Sequence, residues 1–229
     1  MIVFKYALLR SLRSPLSIVV SIFVPIAFIF LPVNTWKNTP VAGVANLVLL
    51  MLLSAHLLSG VILEDRIDGS VIRVLTSPVS TFSYIFQNLL SVIIPLIIQI
   101  ILLGISGYRR YNWSIEYTLG ISICMILFVI ANTAFVFCWN MFFKSIESSK
   151  YTFWLFVAVI ALLSGLVVPI EMLPSNLQHV GAILHPYWLM RSVNVLTDNG
   201  INIEFWLLQS ILILFAVAFL FLGGKRRSI

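Results

Sequence analysis

Apolar residues run along this chain in long unbroken blocks, with neither strict alternation nor a single helical stripe. A membrane helix needs about 20 mostly apolar residues. Blocks of that kind fall roughly at 17–33, 41–63, 84–106, 118–140, 151–170 and 204–222. The first is short and carries Pro25 and Pro32, so a kink or an earlier start is expected there. The pattern predicts an all-α polytopic membrane protein with six transmembrane helices, one transmembrane domain over 1–229 and no soluble domain. No internal repeat is visible.

Residues 1–14 are too short to span. Lys5, Arg10 and Arg13 are expected on one side, with Phe4, Leu8 and Leu12 elsewhere. This suits an amphipathic helix lying in the membrane interface. A plain tail carrying basic topology signals is the other reading. Segments 34–40, 107–117 and 141–150 read as short turns. Two longer connections remain, 64–83 and 171–203, and long ordered loops tend to be functional.

Composition agrees with the block pattern. Of 229 residues, 61% are hydrophobic and 10% charged, and mean hydropathy is +1.08. Soluble domains carry about a quarter charged residues, so a water-soluble globule and a disordered chain are both excluded. The net charge of +6 comes from 14 Lys+Arg against 8 Asp+Glu. These basic residues flank apolar blocks and form no nucleic-acid patch. With a cytoplasmic N-terminus, Lys5, Arg10, Arg13, Arg66, Arg73, Lys144, Lys150, Lys225, Arg226 and Arg227 fall inside. Only Lys37, Arg109, Arg110 and Arg191 fall outside. That bias predicts both termini in the cytoplasm. Cys124 and Cys138 lie about 21 Å apart on one helix, too far to bridge each other there, and read as small apolar fillers.

The 64–83 connection begins with charges of both signs, Glu64-Asp65-Arg66, followed by Asp68 and Gly69. Gly69 allows a turn, and Ser70 is placed to cap a short helix. Ile67, Val71 and Leu75 recur as one apolar stripe. Pro78 ends that helix, and Ser80 is placed to cap the third span. A protruding stripe flanked by charges suits docking into a groove on a cytosolic partner. A connecting turn resting on lipid is the alternative. In the 171–203 connection, Pro174 suits a first helical turn. Leu177, Val180, Gly181 and Leu184 follow a helical period, Pro186 ends it, and Tyr187-Trp188 resemble interface aromatics. Two short helices that dip into the outer leaflet are expected, against the alternative of a surface loop carrying anchors.

The spans hold Asn46, Ser54, His56, Gln99, Asn132 and Gln209, and none of these is a carboxylate, Lys or Arg. An ion-driven carrier usually uses buried ionisable groups, and only His56 qualifies. For His56, helix packing competes with contact to substrate or proton. For Asn46 and Asn132 the competing role is interhelical hydrogen bonding. His179 and His185 are six residues apart and share no helix face, so no metal site or membrane protease is expected. No catalytic residue is assigned.

Two motifs give the chain a family resemblance. One is Glu64, Gly69-Ser70, Arg73 and Ser77-Pro78-Val79-Ser80. The other is Ser164-Gly165, Pro169, Leu173-Pro174 and Pro186. With six spans, the chain resembles the membrane subunits of ABC transporters of the type-two permease family, an exporter class that handles drugs, peptides, lipids and polysaccharides. The resemblance implies that Glu64, Asp65, Arg66, Asp68, Gly69, Ser70, Arg73 and Leu75 form a coupling helix docked on a cytosolic ABC ATPase. It also implies that residues 1–14 are the family's connecting helix, and that a second copy or a related permease chain completes the path. The chain has no phosphate-binding loop, so ATP and Mg would be bound by the partner subunit and this chain would carry no cofactor. Asn46, His56, Trp154, Phe156 and Ser164 are candidates for the path. Pro169, Glu171, Pro174 and Pro186 belong to the exterior re-entrant segment. The expected setting is a bacterial plasma membrane, with lipids as further partners. The largely apolar spans favour an amphipathic cargo: a drug, an antimicrobial peptide or a lipid-like molecule. A secondary carrier or membrane adaptor working without ATP is the alternative.

Overall fold

The computed structural model describes residues 2–31, 33–71 and 80–225, and among these every regular element is a helix. Helix α1 covers Ile2–Ser11. A bent first span follows, made of α2 (Pro15–Ile18), a π-helical turn (Val19–Phe23) and α3 (Val24–Phe30). Next come α4 (Val33–Asn38), α5 (Pro40–Ile67), α6 (Thr81–Arg110), α7 (Ile115–Asn140) and α8 (Ile146–Leu163). A 3-10 turn (Ile170–Met172) leads to α9 (Ser175–Gly181), α10 (His185–Asn199) and α11 (Ile203–Lys225).

Five helices, α5, α6, α7, α8 and α11, are long and apolar enough to cross a membrane. Counting the pair Val3–Ser11 and Pro15–Phe30, bent by 93°, as one span makes six. The expected all-α polytopic fold is therefore the observed one. Local chemistry sets the helix starts. Pro15 and Pro40 stand in first turns, where a missing N–H costs nothing. Ser80 and Ser114 accept hydrogen bonds from the backbone N–H groups of Ser83 and Tyr117, both at 3.2 Å, and cap α6 and α7. Arg109 and Arg110, the basic pair on the wrong side of the charge bias, close the last turn of α6, where cations meet the negative end of the helix dipole.

Helix α7 is the centre of the bundle. It packs on α11, α6, α10 and α5. Of its most apolar window 67% is buried, and of that of α5 61%, against 28% for both α8 and α11. Polar residues inside the spans join helices. Asn132 donates to the Met51 carbonyl at 3.3 Å, and Asn140 to the Ser59 hydroxyl at 2.9 Å. Gln209 donates to the Ser192 hydroxyl at 2.6 Å. The π turn of the first span is held from two sides: the Ser21 carbonyl accepts from Gln99 at 2.7 Å and the Val20 carbonyl from Ser54 at 3.1 Å. Pro25 has no N–H to offer the Ser21 carbonyl four residues earlier, and side-chain donors satisfy the carbonyls left free at this turn.

Several boundaries differ from expectation. The first span starts at Pro15, before residue 17. The fifth ends at Leu163 rather than 170, because Gly165 takes φ +80 and turns the chain out of the helix. Helix α9 ends at Gly181, short of Leu184, and Pro186 sits in the first turn of α10 instead of ending a helix. Tyr187 is buried in the core and is not an interface anchor. With 15 residues, α10 is about 22 Å long, too short to cross a bilayer. It nevertheless packs on α7, α11 and α5, so this segment is part of the bundle and not a surface loop.

Candidate functional site

The charged residues at the start of the 64–83 segment lie in the last turn of α5, which continues as one helix through Ile67. Asp68 closes the helix and Gly69 turns the chain at φ +68. Helical structure resumes at Ser70 and Val71. Ile67 therefore belongs to α5, and the expected Ile67–Val71–Leu75 stripe does not lie on one short helix. Arg73 and Leu75 lie outside the described residues.

Asp65 is the junction of this end. It is 7% exposed. One carboxylate oxygen forms an ion pair with the Arg10 guanidinium, and the other accepts from the Tyr84 hydroxyl at 2.9 Å. Glu64, on the outer side, meets Arg10 at 3.3 Å. Burial alone would lower the Arg10 pKa. The hydrogen bond and charge of Asp65, with the help of Glu64, outweigh that and raise it above its ordinary value, so the guanidinium stays charged. Helix α1 is fastened a second time where the Phe4 backbone N–H donates to Gln87 at 3.1 Å. Arg66 points the other way and donates to the Phe143 carbonyl in the turn between α7 and α8. Two neighbouring residues of α5 thus tie its end to α1, α6 and the 141–145 turn.

This geometry corrects the expected basic face of residues 1–14. At 100° per residue Arg10 lies about 140° around the helix from Lys5. Its guanidinium reaches Asp65 on α5 while two-fifths of the side chain stays exposed. The roles of Arg10, Tyr84, Gln87 and Phe143 were not visible in the sequence. Asp65, at the end of an apolar block and one helical turn before Gly69, was the one available sign, because a carboxylate drawn into such a block needs partners.

The candidate path residues are dispersed. Asn46 is exposed on α5. His56 is buried and stacks on Phe153, with ring centroids 4.1 Å apart. Phe156 is half-buried against Trp139 and Phe135. Trp154 is exposed beneath the Lys150 ammonium. Ser164 is fully buried with an unpartnered hydroxyl. His56 lines a cavity. In the opposite segment, Pro169 and Pro174 precede the 3-10 turn and α9, and Pro186 lies in the first turn of α10. Glu171 accepts from Asn194 at 3.0 Å, tying that turn to α10. No group of three or more His, Cys, Asp or Glu suited to a metal occurs among the described residues.

A bundle of long apolar helices, joined by buried amides and fastened by charge at one end, defines a multi-pass membrane protein. The family model described as ABC-2 type transporter matches residues 1–197. The chain belongs to that family and is an ABC transporter permease, a transport subunit of the membrane. No curated protein matches it.

Proposed function

We propose that this permease is the membrane half of an ATP-driven exporter, working as a pair of permease chains with two copies of a cytosolic ABC ATPase that bind ATP and Mg. The segment around Gly69 is the docking point, from Glu64, Asp65, Arg66 and Asp68 to Ser70, Arg73 and Leu75. The observation that carries this reading is the junction at Asp65 and Arg66. A push on the turn beyond Ile67 moves the end of α5, and with it α1, the start of α6 and the turn before α8. Such rigid shifts of packed helices are an ordinary route from a local contact to a global change. Both termini lie in the cytoplasm of a bacterial cell. The cargo is amphipathic: a drug, an antimicrobial peptide or a lipid-like molecule.

Gly69→Pro tests the docking turn, because proline holds φ near −65° and cannot take +68. Together with the paired reversal Glu64→Lys and Arg73→Glu, it should lower cargo-stimulated ATP hydrolysis by about tenfold or more, in the range of allosteric couplings. The assay uses the chain copurified with the ATPase of an adjacent reading frame. Unchanged assembly and turnover in both variants would overturn the docking role. An impermeant thiol reagent applied from outside should leave Ser70→Cys unlabelled. Absence of any copurifying ATPase would favour the carrier or adaptor reading.

A further inference from the structure

A cavity of about 160 Å3 lies between the starts of the first and fifth spans. Ser14 and Ser17 line it from the first span, His56 and Glu64 from α5, and Ser149 and Lys150 from α8. In a bundle this apolar, such a concentration of polar side chains calls for an explanation.

Four observations say what the cavity would hold. First, two helix N-termini meet there, Pro15–Phe30 and Ile146–Leu163. Each has serine at its N-cap, Ser14 and Ser145, and neither side chain caps its helix. The first-turn N–H groups are left as donors, at the positive end of the helix dipole. Second, a buried polar atom at the cavity lacks a partner. His56 is 5% exposed and its Nδ1 has no partner among the described residues. Buried polar groups are nearly always satisfied, so this nitrogen points to a missing ligand. Ser17, 4% exposed, lines the same cavity. Third, the charges do not cancel. Glu64 is answered by Arg10 at 3.3 Å. Lys150 has no ion pair among the described residues and rests 5.2 Å from the Trp154 ring centroid. The unneutralised charge is positive. Fourth, Trp154 and Leu155 stand exposed on the next turns of α8, an apolar flank beside the polar cavity.

We infer that this cavity binds the anionic, phosphate-type headgroup of an amphipath whose tail lies along α8, with Lys150 as counter-ion and the two helix starts and Ser17 as hydrogen-bond donors. The binding does not depend on the export reading. Only the identity of the amphipath as cargo rests on it.

The intact chain, purified in mild detergent, is titrated with phosphatidylglycerol and with phosphatidylcholine, and bound lipid is counted by native mass spectrometry. Phosphatidylglycerol should bind more tightly. Lys150→Gln should weaken it about tenfold, as expected for one lost charge-assisted hydrogen bond. Lys150→Arg should restore it, and Lys144→Gln, at an exposed lysine before α8, should have no effect. Ser17→Ala reads the same site from another helix and should weaken binding about threefold. Equal binding of the two lipids, equal behaviour of the Lys150→Gln and Lys144→Gln variants, or no loss in Ser17→Ala would overturn the inference. Reconstitution with the ATPase in phosphatidylcholine vesicles, with and without phosphatidylglycerol, separates the sources. Loss of binding with transport intact identifies a resident lipid, and loss of both identifies a cargo headgroup. Failure of the ATPase to assemble would sink the export reading and leave the binding result standing.

Discussion

The two ends of the bundle fasten the N-terminal part of the chain to α6 by different chemistry. At the α1 end the fastening is ionic: Arg10 to Asp65, Tyr84 to Asp65, and Glu64 as an outer arm. At the α4 end it is aromatic. Trp36 is fully buried, stacks on Tyr111 with ring centroids 5.9 Å apart, and meets Trp113 edge-on at 6.0 Å. The polar atoms of this cluster are used as well. Trp36 donates to the Phe28 carbonyl at 3.0 Å, Trp113 to the Trp36 carbonyl at 3.2 Å, and Tyr111 to the Ile29 carbonyl. Packed rings lose contact steeply when displaced, whereas an ion pair tolerates sliding and responds to nearby charge. The aromatic end therefore serves as an anchor. The ionic end, beside the Gly69 turn, is the end that can shift.

Three changes break or sharpen this contrast. Trp36→Ala should have the largest effect on stability, about 3–5 kcal/mol, because it empties a fully buried site. Chemical unfolding in detergent measures it, and the surviving folded protein should keep its coupling to ATP hydrolysis. Asp65→Ala should cost less, about 2–3 kcal/mol. It strands Arg10 and Tyr84, but the guanidinium is 40% exposed and recovers water. Here coupling should fall further than stability does. An inverted result, with Trp36→Ala uncoupling and Asp65→Ala silent, would reverse the assignment of anchor and moving end. The smallest effect belongs to the Arg10–Glu64 arm, where both side chains are about two-fifths exposed. Glu64→Gln should change stability by under about 1 kcal/mol, and the difference should vanish in high salt. A salt-independent loss would mean that Glu64 is bound more tightly than its exposure allows.

That the chain is a bundle of long apolar helices was legible because each rests on a local property, an unbroken apolar block. So were some of their starts: Ser80 was expected as a cap and is one. The charged break was legible too, since Glu64-Asp65-Arg66 next to Gly69 interrupts the apolar pattern. The partners of those charges were not. Arg10 is 55 residues from Asp65 along the chain, and Tyr84 is 19 away. Helical spacing already separates Arg10 from Lys5 by about 140°, but it does not say which of the two turns toward the bundle. The same limit explains His56. Its type and depth were readable, but its stacking on Phe153 and its place on the cavity depend on how α5 meets α8.

Hydrophobicity alone determined that this chain is a bundle of membrane-spanning helices. Insertion of an apolar block is decided by its own residues, and its backbone satisfies itself within the helix. Helix pairing is decided otherwise. In surroundings as apolar as the side chains, burial of apolar area no longer selects neighbours, and packing and scattered polar contacts do so. That is why the Asp65 junction, the hold on the π turn, the burial of α10 and the cavity lined by Ser17, His56 and Lys150 emerged only from the tertiary structure.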